Sequence, residues 1–314
     1  MNKIVIVGTG QAGAQTALSL RDEGFAGDIT LVGEEPGLPY QRPPLSKAYL
    51  LGKMDDEGIL LRAPSAYDDA NIEIIGDTRA VAIARKQRRL MLSAGKSLAY
   101  DHLVLATGAR ASAPCPCRRE PAGRPVPAHL EDAKALMARM AATRRAVVVG
   151  GGFIGLEFAA VAAAQGIAVT VVEVAGRTMG RALSEEMSSF FEARHSGWGV
   201  EFRFGVGVSA ILGEGQVQAV QLTDGATLEA DLVLVGIGVV PNASWPRPRG
   251  WRWPTASWWT RRCAPPIPPY RPSATWPSSR AASATPARRG WNRCRTPPTR
   301  GATWRAPGRQ AQAP

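Results

Sequence analysis

Two six-residue runs in this sequence have the residue types and spacing needed to hold a pyrophosphate. Gly8-Thr9-Gly10-Gln11-Ala12-Gly13 follows the β-branched run 3–7, and Gly150-Gly151-Gly152-Phe153-Ile154-Gly155 follows the run 146–149. In each, the first glycine makes a tight turn and the second lets backbone approach phosphate. The third lets a helix lie close on a strand. Unpaired N–H groups at the start of that helix then favour negative charge. An Ala-rich helical stretch follows in both cases, to about Arg21 and about Gln165, then a second strand, Ile29 to Val32 or Val169 to Val172. Each strand runs into an acid: Glu34 lies 21 residues after Gly13, and Glu173 lies 18 after Gly155. An acid about 20 residues on accepts a hydrogen bond from a ribose hydroxyl. A lone copy of this pattern is weak, but two copies in full strand–turn–helix–strand–acid context predict two dinucleotide sites.

The elements that must position these turns are legible in outline. Strand-like runs stand at Ile72–Ile75, Val81–Ala84 and Asp101–Ala106, the last ending in the turn Thr107-Gly108. Others stand at Glu201–Phe204, Val217–Leu222 and Leu232–Val235, the last leading into 236–242. The predicted fold is α/β, with two nested Rossmann-like dinucleotide-binding domains, each a parallel sheet with a β-meander. The first domain covers 1–110, an irregular linker 111–130, and the second domain 131–242. The second unit is inserted in the first, which needs a closing segment later, and by composition nothing after Asn242 supplies it.

Charge divides the chain the same way. Of its 314 residues, the first 242 hold 24 basic and 26 acidic side chains, whereas residues 243–314 hold 14 Arg and no acid. That tail also carries eight of the nine Trp and 14 of the 25 Pro, with a single aliphatic Ile and no Leu, Val, Phe or Met. Such a segment buries too little apolar area to offset its chain entropy and is expected to be disordered. The overall net charge of +12 therefore describes the tail and not a basic domain. No long uncharged apolar run predicts a membrane span, the N-terminus does not read as a signal peptide, and four Cys make no disulfide framework. A soluble cytoplasmic protein is the expectation.

The segment Leu38-Pro39-Tyr40-Gln41-Arg42-Pro43-Pro44-Leu45-Ser46-Lys47 narrows the reading. Together with the nested dinucleotide units, it resembles the oxygenase-coupled ferredoxin reductases of the putidaredoxin, rubredoxin and rhodocoxin reductase type. These belong to the pyridine nucleotide-disulfide oxidoreductase superfamily. Residues 148–160 fit the same group, with Phe153 where a Tyr is more usual. The resemblance covers 1–242 almost continuously and stops after Asn242. It implies FAD on the first unit and NADH on the second, in an FAD-dependent NAD(P)H:ferredoxin reductase. Electrons would pass to a ferredoxin- or rubredoxin-like iron–sulfur protein. By family pattern Gly8, Gly10 and Gly13 contact the FAD pyrophosphate, Glu34 holds its ribose, and Thr107 and Gly108 line its cleft. Arg42 and Lys47 approach the flavin, and Lys47 lies near the reactive ring nitrogen. Gly150, Gly152 and Gly155 take the NADH pyrophosphate, Glu173 its ribose, and Glu157 the nicotinamide end. The catalytic residues implied are Lys47 and Glu157. A carboxylate at 173 repels a 2′-phosphate and favours NADH, although Arg177 and Arg181 lie nearby.

Residue type alone leaves plainer readings open. Lys47 also reads as a surface lysine, Arg42 as a solvated loop residue, and Glu157 as an acid stabilising a helix start. His102, His129 and His195 lack metal-ligand spacing, as do Cys115 and Cys117, so no metal is expected and the histidines read as surface or core residues. Disulfide reductases carry a Cys pair on the helix after the first ribose acid. Here that stretch reads Pro44-Leu45-Ser46-Lys47, without Cys, so electrons must leave the flavin outward.

The tail has two readings. As a disordered Arg/Trp arm it would bind nucleic acid, which makes the alternative function a non-catalytic dinucleotide-binding product. As a reading-frame slip in a GC-rich gene it would be out of frame. Shifted by one base, with permitted codons, Pro266 to Trp276 re-reads as Ser-Asp-Pro-Ala-Ile-Ser-Ala-Ile-Gly-Asp-Val, similar to the family's third FAD motif. The second account is favoured. It predicts an impaired reductase that lacks the Asp for the flavin's ribityl chain and the C-terminal domain over the isoalloxazine. Nucleic acid is then not an expected partner.

Overall fold

The computed structural model describes residues 3–112, 124–125, 129–242 and 270–272. The first unit runs β1 (Lys3–Val7), α1 (Gln11–Asp22), β2 (Asp28–Val32), α2 (Pro64–Asp69) and β3 (Ile72–Ile75). An antiparallel meander of β4 (Ala80–Ala84), β5 (Arg89–Leu92) and β6 (Ser97–Ala99) follows, then β7 (His102–Leu105) and β8 (Ala109–Ala111). The second unit begins with β9 (Arg124–Pro125) and α3 (Leu130–Met140). It continues through β10 (Arg145–Val149), α4 (Phe153–Ala164), β11 (Ala168–Glu173), α5 (Glu185–Ser196) and β12 (Glu201–Phe204). Its own meander comprises β13 (Val208–Leu212), β14 (Ala219–Leu222) and β15 (Thr227–Glu229). After it come β16 (Leu232–Val235), β17 (Val239–Pro241) and β18 (Tyr270–Pro272).

The two units repeat one topology. The first sheet has the order β18-β7-β1-β2-β3 and the second, read in the same sense, β9-β16-β10-β11-β12, all strands parallel. Continuous β-branched runs suit strands covered on both faces, and alternate residues divide between the covers. Ile4 and Ile6 pack with Ala14 and Ala17 of α1, while Val5 and Val7 pack with Leu90 and Leu92 of the meander. In the second unit Val148 packs with Leu156 and Ala159 of α4, and Val147 with Val220 and Leu222 of its meander. The units are nested as expected. The chain leaves the first sheet after β7, builds the second, and returns through β17, which pairs antiparallel with β8. No helix among the described residues is long and apolar enough to cross a membrane.

Two expectations change. The tail read as disordered, with no closing segment, supplies β18, which lies parallel beside β7 with Tyr270 opposite Leu103. The rest of 243–314 lies outside the described residues. Arg124–Pro125, within the linker read as irregular, is β9 on the matching edge of the second sheet. Ladder pairing uses backbone groups, so an edge strand needs no aliphatic run, and proline is tolerated there. Side-chain composition is blind to such strands, and both carry Pro at their last position.

One side chain in the first core carries an uncompensated polar group. Tyr67 of α2 is 1% exposed among Ile4, Ile29, Leu31 and Ile72. Its hydroxyl has no hydrogen-bond partner among the described residues. A buried orphan of this kind costs about 1–3 kcal/mol. Tyr67→Phe is therefore expected to raise the melting temperature by about 2–4 °C per kcal/mol recovered. A thermal melt that falls on substitution would show a partner for the hydroxyl.

Candidate functional site: two phosphate-binding turns and the seam between them

Both glycine turns are held by the same crossing hydrogen bonds. Gly8 N donates to Val32 O at 2.7 Å and Gly150 N to Val172 O at 2.8 Å. From the other neighbouring strand, Ala106 N donates to Val7 O at 2.8 Å and Gly236 N to Val149 O at 2.7 Å. The first glycine of each turn has positive φ, +117° at Gly8 and +105° at Gly150. A Cβ there would lie 2.1 Å from Ala106 O or 2.7 Å from Gly236 O. Close approach, more than the turn itself, excludes any side chain.

The helices that follow are left open for an anion. At α5 the Ser184 hydroxyl accepts from Met187 N, whereas α1 and α4 start at Gly10 and Gly152 with no side-chain cap. A Cβ on Gly10 would meet nothing within 4 Å, and one on Gly152 only Gly236 O at 4.0 Å. Two 12-residue helices thus direct unpaired N–H groups and their positive dipole ends into open space. These cradles fit a dinucleotide pyrophosphate each.

The two acids differ in placement. Glu173 closes over its turn, with Oε2 accepting from Gly151 N at 2.7 Å and Oε1 from Ala175 N at 2.9 Å. In register Val32 corresponds to Val172, since they pair with Val7 and Val149. The counterpart of Glu173 is therefore Gly33, where a Cβ would lie 2.1 Å from Thr9 Oγ1. Thr9 over Gly33 and Gly151 under Glu173 are alternative fillings of one space. The first-unit acid moves one position on, and Glu34 stands exposed, 3.6 Å from Arg79. This shift and a longer α1–β2 connection account for the unequal spacing of acids in the sequence.

Glu35, not singled out by motif, is the more engaged carboxylate. It accepts from the Tyr40 hydroxyl, from Arg42 at 2.5 Å, and faces His129 Nδ1 at 3.0 Å. Burial alone would raise its pKa, but the hydrogen bonds of His129 and Tyr40 and the charge of Arg42 hold it at about 2. Burial, reinforced by Glu35, pushes the Tyr40 hydroxyl up. Hydrogen bonding to Glu35 raises His129 above its usual 6.5, against the opposing effect of burial. The only advance sign in the sequence was the doublet Glu34-Glu35. His129, read as isolated, joins this network at the start of α3, where its N–H donates to Asp132.

The sign of the pH dependence follows. His129 contributes its full stabilisation below 6.5 and loses it as pH rises through its elevated folded value. Glu35 contributes fully above 4.5 and loses its share as pH falls toward about 2. The melting temperature is expected to decline on the alkaline side of neutrality, and His129→Gln to flatten that decline. An unchanged slope in the variant would remove His129 from the network.

Across the seam between the units, Lys47 and Glu157 meet. Lys47 follows the short 3-10 helix Pro43–Ser46, and its Nζ lies 2.8 Å from Glu157 Oε2 on the first turns of α4. Ser46 Oγ donates to the same carboxylate oxygen at 2.7 Å, and Lys47 Nζ also reaches Pro43 O at 3.3 Å. Thr107 is the second point of closure: its hydroxyl donates to Asn242 O, and Asn242 Nδ2 donates back to Thr107 O, both at 2.9 Å. Asn242 N also reaches Gly108 O at 3.0 Å. Arg177 is committed elsewhere, donating to the carbonyls of Leu183, Ser184 and Gly180 and to Ser188 Oγ. His195 is a core residue, its ring nitrogens 2.7 Å from Phe191 O and 3.1 Å from Leu156 O. His102 is exposed on β7. Cys115 and Cys117 lie outside the described residues.

The nested sheets with their repeated glycine turns have known counterparts. The pattern of the pyridine nucleotide-disulphide oxidoreductases matches residues 2–253. The chain belongs to that family. Within it, the chain is 47% identical over 241 residues to rhodocoxin reductase of Rhodococcus erythropolis, covering 76% of this chain and 56% of that protein. The crystal structure of the ferredoxin reductase for the CYP199A2 system of Rhodopseudomonas palustris matches with TM-score 0.74 and 45% identity. That match covers 77% of this chain and 60% of the other. The putidaredoxin reductase in its covalent complex with putidaredoxin gives TM-score 0.74, 42% identity, and coverage of 77% and 59%. The chain therefore spans somewhat over half the length of these family members.

Proposed function

We propose that this chain is the dinucleotide-binding part of an NADH-dependent flavoprotein reductase that delivers electrons to a ferredoxin- or rubredoxin-like iron–sulfur protein. The observation that carries the reading is the Lys47–Glu157 pair, which joins the first glycine unit to the second at the place where two cofactors would face each other. On this reading Gly8, Gly10 and Gly13 receive the FAD pyrophosphate, and Gly150, Gly152 and Gly155 that of NADH. Glu34 and Glu173 lie at the riboses, Thr107 and Gly108 at the FAD cleft, and Arg42 on the flavin side. FAD, when bound, supplies the exchange between hydride and single-electron chemistry.

The chain's own residues do the rest. Glu157 holds the Lys47 ammonium where negative charge develops on reduction, and a fixed cation there costs no reorganisation during the reaction. Ser46 occupies the same carboxylate oxygen and keeps Glu157 from turning away. Glu173 presents a carboxylate where a 2′-phosphate would sit, and Arg177 is too engaged to neutralise one, which favours NADH. The absence of Cys from Pro43–Lys47 supports an outward one-electron route, as does the similarity to the rhodocoxin and putidaredoxin reductases. The need for NADH supports a cytoplasmic setting for the reaction. The nucleic-acid reading rests on a tail outside the described residues apart from β18, and nothing in the described unit favours it.

The test is a visible spectrum of the purified protein, followed by NADH added without oxygen. Flavin bands that bleach, with NADPH much less effective, are the expected result. A protein that binds no FAD even on titration would sink the reading for this chain.

A further inference from the structure

We propose that two copies of this chain associate edge to edge through β12, joining their second sheets across a two-fold axis. β12 is the terminal strand of that sheet, paired with β11 on one side and with no other strand among the described residues on the other. An open edge offers a row of backbone N–H and C=O groups to any strand that can approach. Here approach is possible: an open groove of about 730 Å³ lies between β12 and the Ser189, Glu192 and Ser196 face of α5.

The side chains of β12 specify which strand would fit. Glu201 and Arg203 are both exposed and project to the same face, since strand side chains alternate. An antiparallel pairing centred on Phe202 sets Glu201 opposite Arg203 of the partner subunit, and Arg203 opposite Glu201 of the partner subunit. Like charges at these positions would repel a second copy, as edge-protecting lysines do; opposite charges two residues apart are self-complementary under a two-fold axis. On the other face Phe202 stacks on Phe204, with centroids 5.4 Å apart and planes at 8°. The aromatic run continues through His195 to Trp198, which is 51% exposed. The same axis would bring the two Phe202 side chains together. Charge pairing and aromatic contact are thus satisfied by a single operation.

Sedimentation velocity of the full chain over a hundred-fold concentration range tests this. A reversible monomer–dimer equilibrium is expected. Arg203→Glu and Glu201→Arg should each raise the dissociation constant at least about ten-fold, because each places like charges opposite one another twice. An equimolar mixture of the two single variants should dimerise again, as should the E201R/R203E double variant. Both residues are exposed, and recovery by mixing shows that the single variants are folded. A wild-type chain that is monomeric throughout would overturn the proposal. So would a dimer indifferent to both substitutions, single variants that do not recombine, or β12 amides protected from exchange in a monomer, which would place another segment on the edge.

Discussion

Gly13→Ala is expected to loosen the first unit and release FAD together, whereas Gly10→Ala should release FAD and leave the fold intact. A Cβ on Gly13 would lie 1.9 Å from Gly8 O and 3.0 Å from Gly8 C. Both are backbone atoms within a hydrogen-bonded turn and cannot step aside, so α1 must lift from the sheet. The cost should reach or exceed the ~1–3 kcal/mol of ordinary overpacking. At about 2–4 °C per kcal/mol, the melting temperature should drop by several degrees. Gly10 is different, because its Cβ meets nothing within 4 Å and its φ of −78° suits alanine. A methyl group there intrudes only on a bound phosphate. Melting curves without added FAD, set beside FAD titrations, separate the two effects. A Gly10→Ala protein that binds FAD as tightly as the wild type would place the pyrophosphate elsewhere. The same contrast should hold in the second unit for Gly155, whose Cβ would lie 2.3 Å from Gly150 O, and Gly152, with NADH as the ligand.

The largest kinetic effect is expected at the seam. Lys47→Met and Glu157→Gln should each slow NADH reduction of bound flavin by roughly 10²–10³-fold, the loss typical when one preorganised charge-stabilising group is removed. Neither should change the melting temperature much. The two side chains are 49% and 28% exposed, and an ion pair so placed contributes about 0–1 kcal/mol. Because both act through one contact, the double variant should be little slower than the worse single variant. Anaerobic stopped-flow of the reconstituted variants gives these rates directly. Rates equal to wild type in both would reduce the pair to the solvated lysine and helix-start acid that residue type alone allows.

The glycine spacing, the β-branched runs and the acids after them were enough to read two dinucleotide units, one nested in the other. Those signals are local: the first and third glycine of each turn answer to a backbone atom a few residues away or beside a neighbouring strand, as Gly13 does to Gly8 O. Ile72–Ile75, Glu201–Phe204 and Leu232–Val235 were legible for a similar reason, being short apolar or alternating runs within a sheet. The family resemblance singled out Lys47 and Glu157 separately, on segments far apart in the chain.

Only the tertiary structure set them 2.8 Å apart, since that contact depends on how a 3-10 turn in one unit meets α4 in the other. It also showed the contacts of Glu35 with Tyr40, Arg42 and His129. Local spacing cannot register that Thr9 fills the place over Gly33 which Glu173 fills over Gly151. His129 became part of the site through a contact between the loop after β2 and the start of α3. β9 and β18 were invisible to composition because edge strands are held by backbone pairing, which any residue sequence short of repeated proline can supply. What the sequence determined about this protein was its two glycine turns and the strands and helices that frame them. What folding decided was which charges face each other across the two units, because an ion pair needs its atoms within about 4 Å and chain separation carries no information about that.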